Sequence, residues 1–410
     1  MDRRARHRAR PRPRRARGVG PADRARHAER APPLRPRRRL SSAPRGGTRR
    51  GAPVLPPAGR RSRAALVSEL SRRLAELLAD GVRARAFPSG AAWVAAGGAH
   101  RGSATAGPVD LATRWDLASL TKPLVIGTLV MRAVAAGALR LDARVPAPGG
   151  PPLAMTDLLA HRAGLRAWAD LPGAVDAWAG PARAGRWVPG GAVARAAIDD
   201  ALAAERAAAD PGRGTVYSDL GYILLGRELE RRAGAPLRRL APGFLGLSPP
   251  GDPARYAPTA RCPRRARVLR GEVHDANAWA LGGAAGHAGA FATVDEIGRW
   301  ALDLLRASRD RGGSIDGGVV RAFWDPAWRD GGATWVLGWD TPSPGASTGG
   351  ARISASAVGH LGFTGTSVWI DRDADLVTVL LTNRVALGPA AAPAMRAYRP
   401  LFHDAVRDAV

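Results

Sequence analysis

The stretch TSVWIDRDADLVTVLLTNRV, residues 366–385, constrains the fold more than any other part of this chain. Two apolar runs flank a polar turn at Arg372–Ala374, so it reads as a β-hairpin. The other strand pattern, GAAWVAAGGA, lies nearly 300 residues earlier, at 90–99. Between them the texture is helical. RAALVSELSRRLAELLADGV puts Leu66, Leu70, Leu74 and Leu77 on one stripe, with Arg and Glu opposite. Residues 119–139 read as a largely buried helix, and 140–290 as short helical runs broken by Gly and Pro. Thr293 and Glu296 form a capping box ahead of a clear helix. The last residues, AMRAYRPLFHDAVRDAV, read as a helix with Pro400 near its start or interrupting it. No internal repeat is present. The expected architecture is α/β, with one sheet assembled from both ends of the chain and a helical insertion at about 140–290.

The net charge of +27 is concentrated before this organised part. From Met1 to Arg63, 22 Arg face only Asp2, Asp23 and Glu29, a net of +19. Residues 1–61 carry almost no large apolar side chains, too few to offset chain entropy, and read as disordered. They fit a start called too early, a solvated tail or a basic arm for nucleic acid or anionic membrane. The charge sits in a segment without stacking aromatics, which argues against specific nucleic-acid recognition. No apolar run reaches the roughly 18 residues of a membrane span. No leader-type apolar region is visible either, so the chain as written reads as cytoplasmic, and as periplasmic or secreted under a later start. Cys262 stands alone, excludes an intrachain disulfide and reads as an inert thiol.

Of the 62 Lys plus Arg, 61 are Arg; the single lysine is Lys122, in DLASLTK. Ser119 lies three residues before it, which on a helix places both side chains on one face, with Ser119 at the N-cap or in the first turn. A serine hydroxyl needs a base to become a nucleophile, and an amine of lowered pKa can serve, whereas arginine cannot deprotonate. Tyr217 opens a Tyr-Ser-Asp triplet before an apolar helix. Alone it reads as a core tyrosine beside an N-capping Asp219; near a Ser–Lys pair it can shuttle a proton. GHLGFTGTSVWID is an ordinary Gly-containing turn before a strand, or a strand edge whose N–H groups complete an oxyanion hole.

Together, S-x-x-K, then Tyr-Ser-Asp, then His-Leu-Gly before a strand resemble the signature set of the serine β-lactamase-like and penicillin-binding-protein-like family. The branch is that of class C β-lactamases, DD-peptidases and esterases, which uses tyrosine. The resemblance covers residues 62–410 and includes WDLASLTK, LLAHRAGL and GHAGAFATVDEIGRWALDLL. It implies a β-lactamase/transpeptidase-like fold, an antiparallel sheet flanked by helices with an inserted all-helical subdomain. It makes Ser119 the acylated nucleophile, Lys122 the partner base and Tyr217 the second proton carrier. Asp219 stands where the family usually has Asn. His360 stands at the Lys position of the third motif, Gly362 keeps its Gly, and the Phe363 N–H would join that of Ser119 in the oxyanion hole.

These departures point to an esterase or peptidase rather than a true β-lactamase. A substrate carboxylate would lose its Lys-Thr clamp, although His360 could be cationic at mildly acid pH. Asp219 could hold Lys122 protonated and move the base role to Tyr217. The expectation is a monomeric serine hydrolase without cofactor, acting through an acyl-enzyme on a small ester, amide or peptide. Its rival is a catalytically weak penicillin-binding-like receptor or regulator. His274, Asp275 and His287 have no compact metal-ligand spacing and read as a structural loop, and His161 as a structural histidine.

Overall fold

The computed structural model describes residues 63–210, 214–241 and 252–410, with the side chains of residues 63–66 excepted. The readings made for residues 1–61, and the place of Leu66 on its stripe, lie outside the described residues.

The two ends of the organised chain do share one sheet. Strands β1 (Gly90–Ala96), β2 (Ala99–Ala106), β3 (Val358–Leu361), β4 (Ser367–Asp371) and β5 (Leu376–Thr382) run in the order β2-β1-β5-β4-β3, all antiparallel. β1 pairs with β5 through Trp93↔Val379, which closes the sheet across nearly the whole chain. The expected GAAWVAAGGA strand is β1; its partner β2 was not expected. Gly97 and Gly98 both take positive φ, the conformation a two-residue hairpin turn requires.

The sheet is buried on both faces, which explains the near-continuous apolar text of β5. Val377, Val379 and Leu381 face one core with Ala91, Trp93 and Ala95. Helix α4 (Val294–Ser308) covers that face, and Trp93 lies so close over Gly298 that an added Cβ would sit 2.1 Å from its ring. Leu376 and Leu380 face the other core with Leu70, Leu74, Leu77 and Leu78 of α1 (Arg63–Arg83) and Met395, Tyr398 and Phe402 of α5 (Ala392–Ala409). α5 continues through Pro400. The capping box is present, with the Thr293 N–H donating to Glu296 at 2.7 Å and the Glu296 N–H to the Thr293 hydroxyl at 3.2 Å.

Three local expectations are corrected. The 119–139 helix is a 3₁₀ turn (Ala118–Leu120), a wider π-helical turn (Lys122–Gly127) and only then α2 (Thr128–Ala135). The insertion is not all-helical: a hairpin pairs Pro258–Cys262 with Arg267–Arg270, and Arg144–Val145 pairs with Leu153–Ala154. Finally, Ala118–Ala135 is long and apolar enough by composition to cross a membrane; two-thirds of it is buried in the protein core, which accounts for that composition.

Candidate active site

Ser119, Lys122, Tyr217 and Asp219, read separately from the sequence, meet at one point. The Lys122 amine is fully buried and donates to the Ser119 hydroxyl at 3.1 Å, to an Asp219 carboxylate oxygen at 2.6 Å and to the His287 carbonyl at 3.3 Å. It also lies 4.7 Å from the centre of the Tyr217 ring. The serine sits inside the 3₁₀ turn rather than at a helix N-cap. Preceding it, Ala118 takes a φ of 46°, a conformation few non-glycine residues adopt. The Asp116 carboxylate holds this turn by accepting from the Ala118 N–H at 2.9 Å and the His274 N–H at 2.6 Å. Burial pushes the Asp116 carboxyl up to about 6 despite those bonds.

Burial alone would lower the Lys122 pKa. The negative charges available at Tyr217 and Asp219 outweigh it, and the net direction is upward. This balance favours the ammonium form of the resting amine, one of the alternatives that Asp219 opened. Burial raises Tyr217 above its ordinary range; Lys122 pulls it down, and Asp219 pushes it up. Asp219 is not the N-cap of α3 (Asp219–Ala233). That is Ser218, whose hydroxyl accepts from the Gly221 N–H, and this frees the Asp219 carboxylate for Lys122.

The third motif lies where expected. An added Cβ on Gly362 would be 2.0 Å from the Thr366 hydroxyl and 2.5 Å from the Leu117 carbonyl, so only glycine lets β3 approach the Ser119 turn. The Thr364 and Thr366 hydroxyls donate to the carbonyls of Asp116 and Leu117, tying the two segments together. The sequence reading missed both threonines. His360 is corrected: it is buried, and desolvation with Lys122 nearby lowers its pKa to about 3, so mildly acid pH leaves it neutral. The Phe363 side chain is 65% exposed at the pocket mouth, between the His274 ring and the Arg384 guanidinium.

These residues open onto a cavity of about 780 Å³ lined by Ser119, Tyr217, Trp335, Phe363 and Arg384 among others. A larger groove of about 1280 Å³ beside α1 contains none of them; the chemistry, not the size, identifies the site. Arg384, Arg396 and Arg399 also line the cavity. Arg384 and Arg399 are only 7% and 6% exposed. Burial and the neighbouring Arg384 push Arg399 down to about 10, and its Nε has no hydrogen-bond partner. Among the described residues, none of the three has a carboxylate partner. This charge was missed because, in a chain with 61 Arg, no single arginine carries a signal.

The loop residues His274, Asp275 and His287 separate. His287 Nε2–H donates to the Asp275 carboxylate at 2.9 Å, and Asp275 caps the short helix Ala276–Ala280. Asp219, Asp275 and His287 each place a ligand-type atom within 4.8 Å of the others, and the Lys122 ammonium already neutralises Asp219 within this group.

A class C β-lactamase structure aligns over 82% of this chain and 96% of its own, with a TM-score of 0.59 at 16% identity. EstCE1, a hydrolase with promiscuous acyltransferase activity, aligns over 83% and 99%, with a TM-score of 0.58 at 19% identity. In sequence, the N-acetylmuramyl-L-alanine amidase of Bacillus subtilis (strain 168) is 28% identical over 319 residues, 68% of this chain and 70% of that protein. A candidate D-alanyl-D-alanine carboxypeptidase of Salmonella agona (strain SL483) is 29% identical over 209 residues, 42% of this chain and 46% of that protein, so the aligned part spans about half of that relative. The Beta-lactamase family matches residues 74–399, and the chain belongs to that family.

Proposed function

We propose that the protein is a serine hydrolase that cleaves an ester or amide through a Ser119 acyl-enzyme, and that its substrate carries an anionic group. The observation that carries this reading is the convergence of the buried Lys122 amine on Ser119 and Asp219, beside Tyr217. With Lys122 held as an ammonium, it acts as the charge that stabilises a Tyr217 phenolate. The phenolate form, reached when the Tyr217 phenol loses its proton to solvent, takes the Ser119 proton as Oγ attacks the carbonyl. The bond to the leaving group breaks, and the Tyr217 O–H supplies its proton. Water then follows the same route in reverse to release the acid. The N–H groups of Ser119 and Phe363 are assigned to the developing oxyanion.

Arg384, Arg396 and Arg399 support the anionic substrate. Arg384 and Arg399 are buried with no carboxylate partner among the described residues, Arg384 donating only to the Phe363 carbonyl; burying uncompensated cations is costly, and a substrate carboxylate would relieve that cost. They stand in for the clamp that the Lys-Thr-Gly to His-Leu-Gly change removes, so a substrate carboxylate, which the sequence reading left without a clamp, again has cations to meet it. The amidase and carboxypeptidase relatives support amide cleavage by the same machinery.

The test pairs two p-nitrophenyl esters of matched length, one ending in a methyl group and one in a carboxylate. The carboxylate ester should have the higher kcat/KM, and Arg384→Gln should reduce that preference about tenfold. Equal turnover of both, unaffected by Arg384→Gln, would exclude the anionic substrate. Absence of Ser119 labelling by a fluorophosphonate would exclude the acyl-enzyme and favour a receptor role.

A further inference from the structure

Tyr217 lies on an irregular segment before α3, with no sheet ladder to hold it. Its neighbours' N–H groups go to one residue. The Val216 N–H donates to the His161 carbonyl at 2.9 Å, and the Ser218 N–H donates to His161 Nδ1 at 3.0 Å. The His161 ring also packs against the Tyr217 ring, with centroids 4.5 Å apart, and against Trp335 at 4.8 Å and Tyr222 at 5.1 Å. His161 thus brackets Tyr217 from both sides of the chain and along one ring edge.

His161 takes a φ of 59°, which directs its carbonyl and its imidazole to the same three residues. Left-handed backbone at a non-glycine residue is strained and persists where the surroundings enforce it. Because Nδ1 accepts, the ring proton is on Nε2, which is buried without a partner. Burial, Lys122 and His360 keep the imidazole neutral.

We infer that His161 is the positioning residue for Tyr217, a clamp that aims the phenol at Lys122 and Ser119 and does not itself touch substrate. This goes beyond the proposed function and rests on its reading of Tyr217 as the proton carrier. The structural histidine expected from LLAHRAGL thereby acquires a catalytic consequence.

The experiment measures the acylation rate, KM and melting temperature of full-length His161→Leu, His161→Asn and Tyr217→Phe proteins, and of the His161→Leu, Tyr217→Phe double variant. The probe is the better p-nitrophenyl ester, with rates counted per fluorophosphonate-labelled site. Losing the clamp should slow acylation about 10- to 100-fold with KM nearly unchanged, because small misplacements of a reacting group have effects of that size. Asn accepts near the Nδ1 position and tolerates left-handed backbone, so His161→Asn should recover most of the rate. The double variant should be little slower than Tyr217→Phe. A folded His161→Leu protein acylating at the wild-type rate would overturn the inference, as would a double variant slowed by the full product of the single effects. Should His161→Leu not fold, His161→Gln, whose acceptor sits one bond further out, replaces it with the same expected slowing. A Tyr217→Phe protein at the wild-type rate would overturn the proton-carrier reading and the clamp with it.

Discussion

Asp219, itself half-buried, pairs with the fully buried Lys122 amine at 2.6 Å, and this pair constrains how the lysine can act. Breaking such a pair by removing one charge leaves the other uncompensated, so the pair favours the ammonium, and in the proposed mechanism proton transfer falls to the neighbouring phenol.

Asp219→Asn should therefore speed the enzyme at neutral pH. Asp219 raises both Tyr217 and Lys122. Removing its charge lowers both, so the limb of kcat/KM that rises with pH moves to lower pH. The reactive fraction at pH 7 therefore grows. An unshifted or alkaline-shifted pH profile contradicts this.

Lys122→Arg keeps the charge but puts a bulkier, planar group into a fully buried site. Turnover should fall by at least about 10³-fold, and Ser119→Ala should lose both turnover and covalent labelling. A thermal melt beside each assay separates chemistry from unfolding. A folded Lys122→Arg protein at the wild-type rate would refute the mechanism.

Gly362→Ala should cost about 1–3 kcal/mol of stability by overpacking, because its Cβ meets the Leu117 carbonyl as well as the flexible Thr366 side chain. Since Leu117 leads into the Ser119 turn, kcat should fall more than the melt alone explains. Equal losses in both would confine Gly362 to a packing role.

Acid should destabilise the fold through its buried histidines. His360 and His403 are each lowered from 6.5 to about 3, chiefly by burial. The unfolded chain therefore takes up these protons first, and stability falls as pH drops below 6.5. From pH 7 to 5 each His costs about 2 kcal/mol, while Asp116, raised to about 6, returns about 1 kcal/mol over the same interval. The histidines win. Urea melts at pH 7 and 5 should show the loss, and His403→Gln, which can keep the Ser367 bond, should flatten it. Greater stability at pH 5 would show the sign to be wrong.

What the sequence determined by itself was the set of local signals. Apolar periodicity marked α1, α4 and the β4–β5 hairpin. The single lysine three residues after a serine marked the site, although the role it suggested, a deprotonated amine that arginine cannot supply, gives way in the fold to a compact buried ammonium. Tyr217, Asp219 and Gly362 were legible as motif positions. Their meaning came from tertiary structure, since desolvation and charge depend on neighbours far along the chain. His360 is neutral because the fold buries it next to Lys122, and Lys122 is protonated because Asp219, 97 residues away, points at it. Thr364, Thr366 and the three cavity arginines carry no local signal, and LLAHRAGL marked His161 without showing that it packs against Tyr217. Only folding places those hydroxyls on the Ser119 turn, that imidazole against Tyr217 and those cations where, among the described residues, no carboxylate pairs with them.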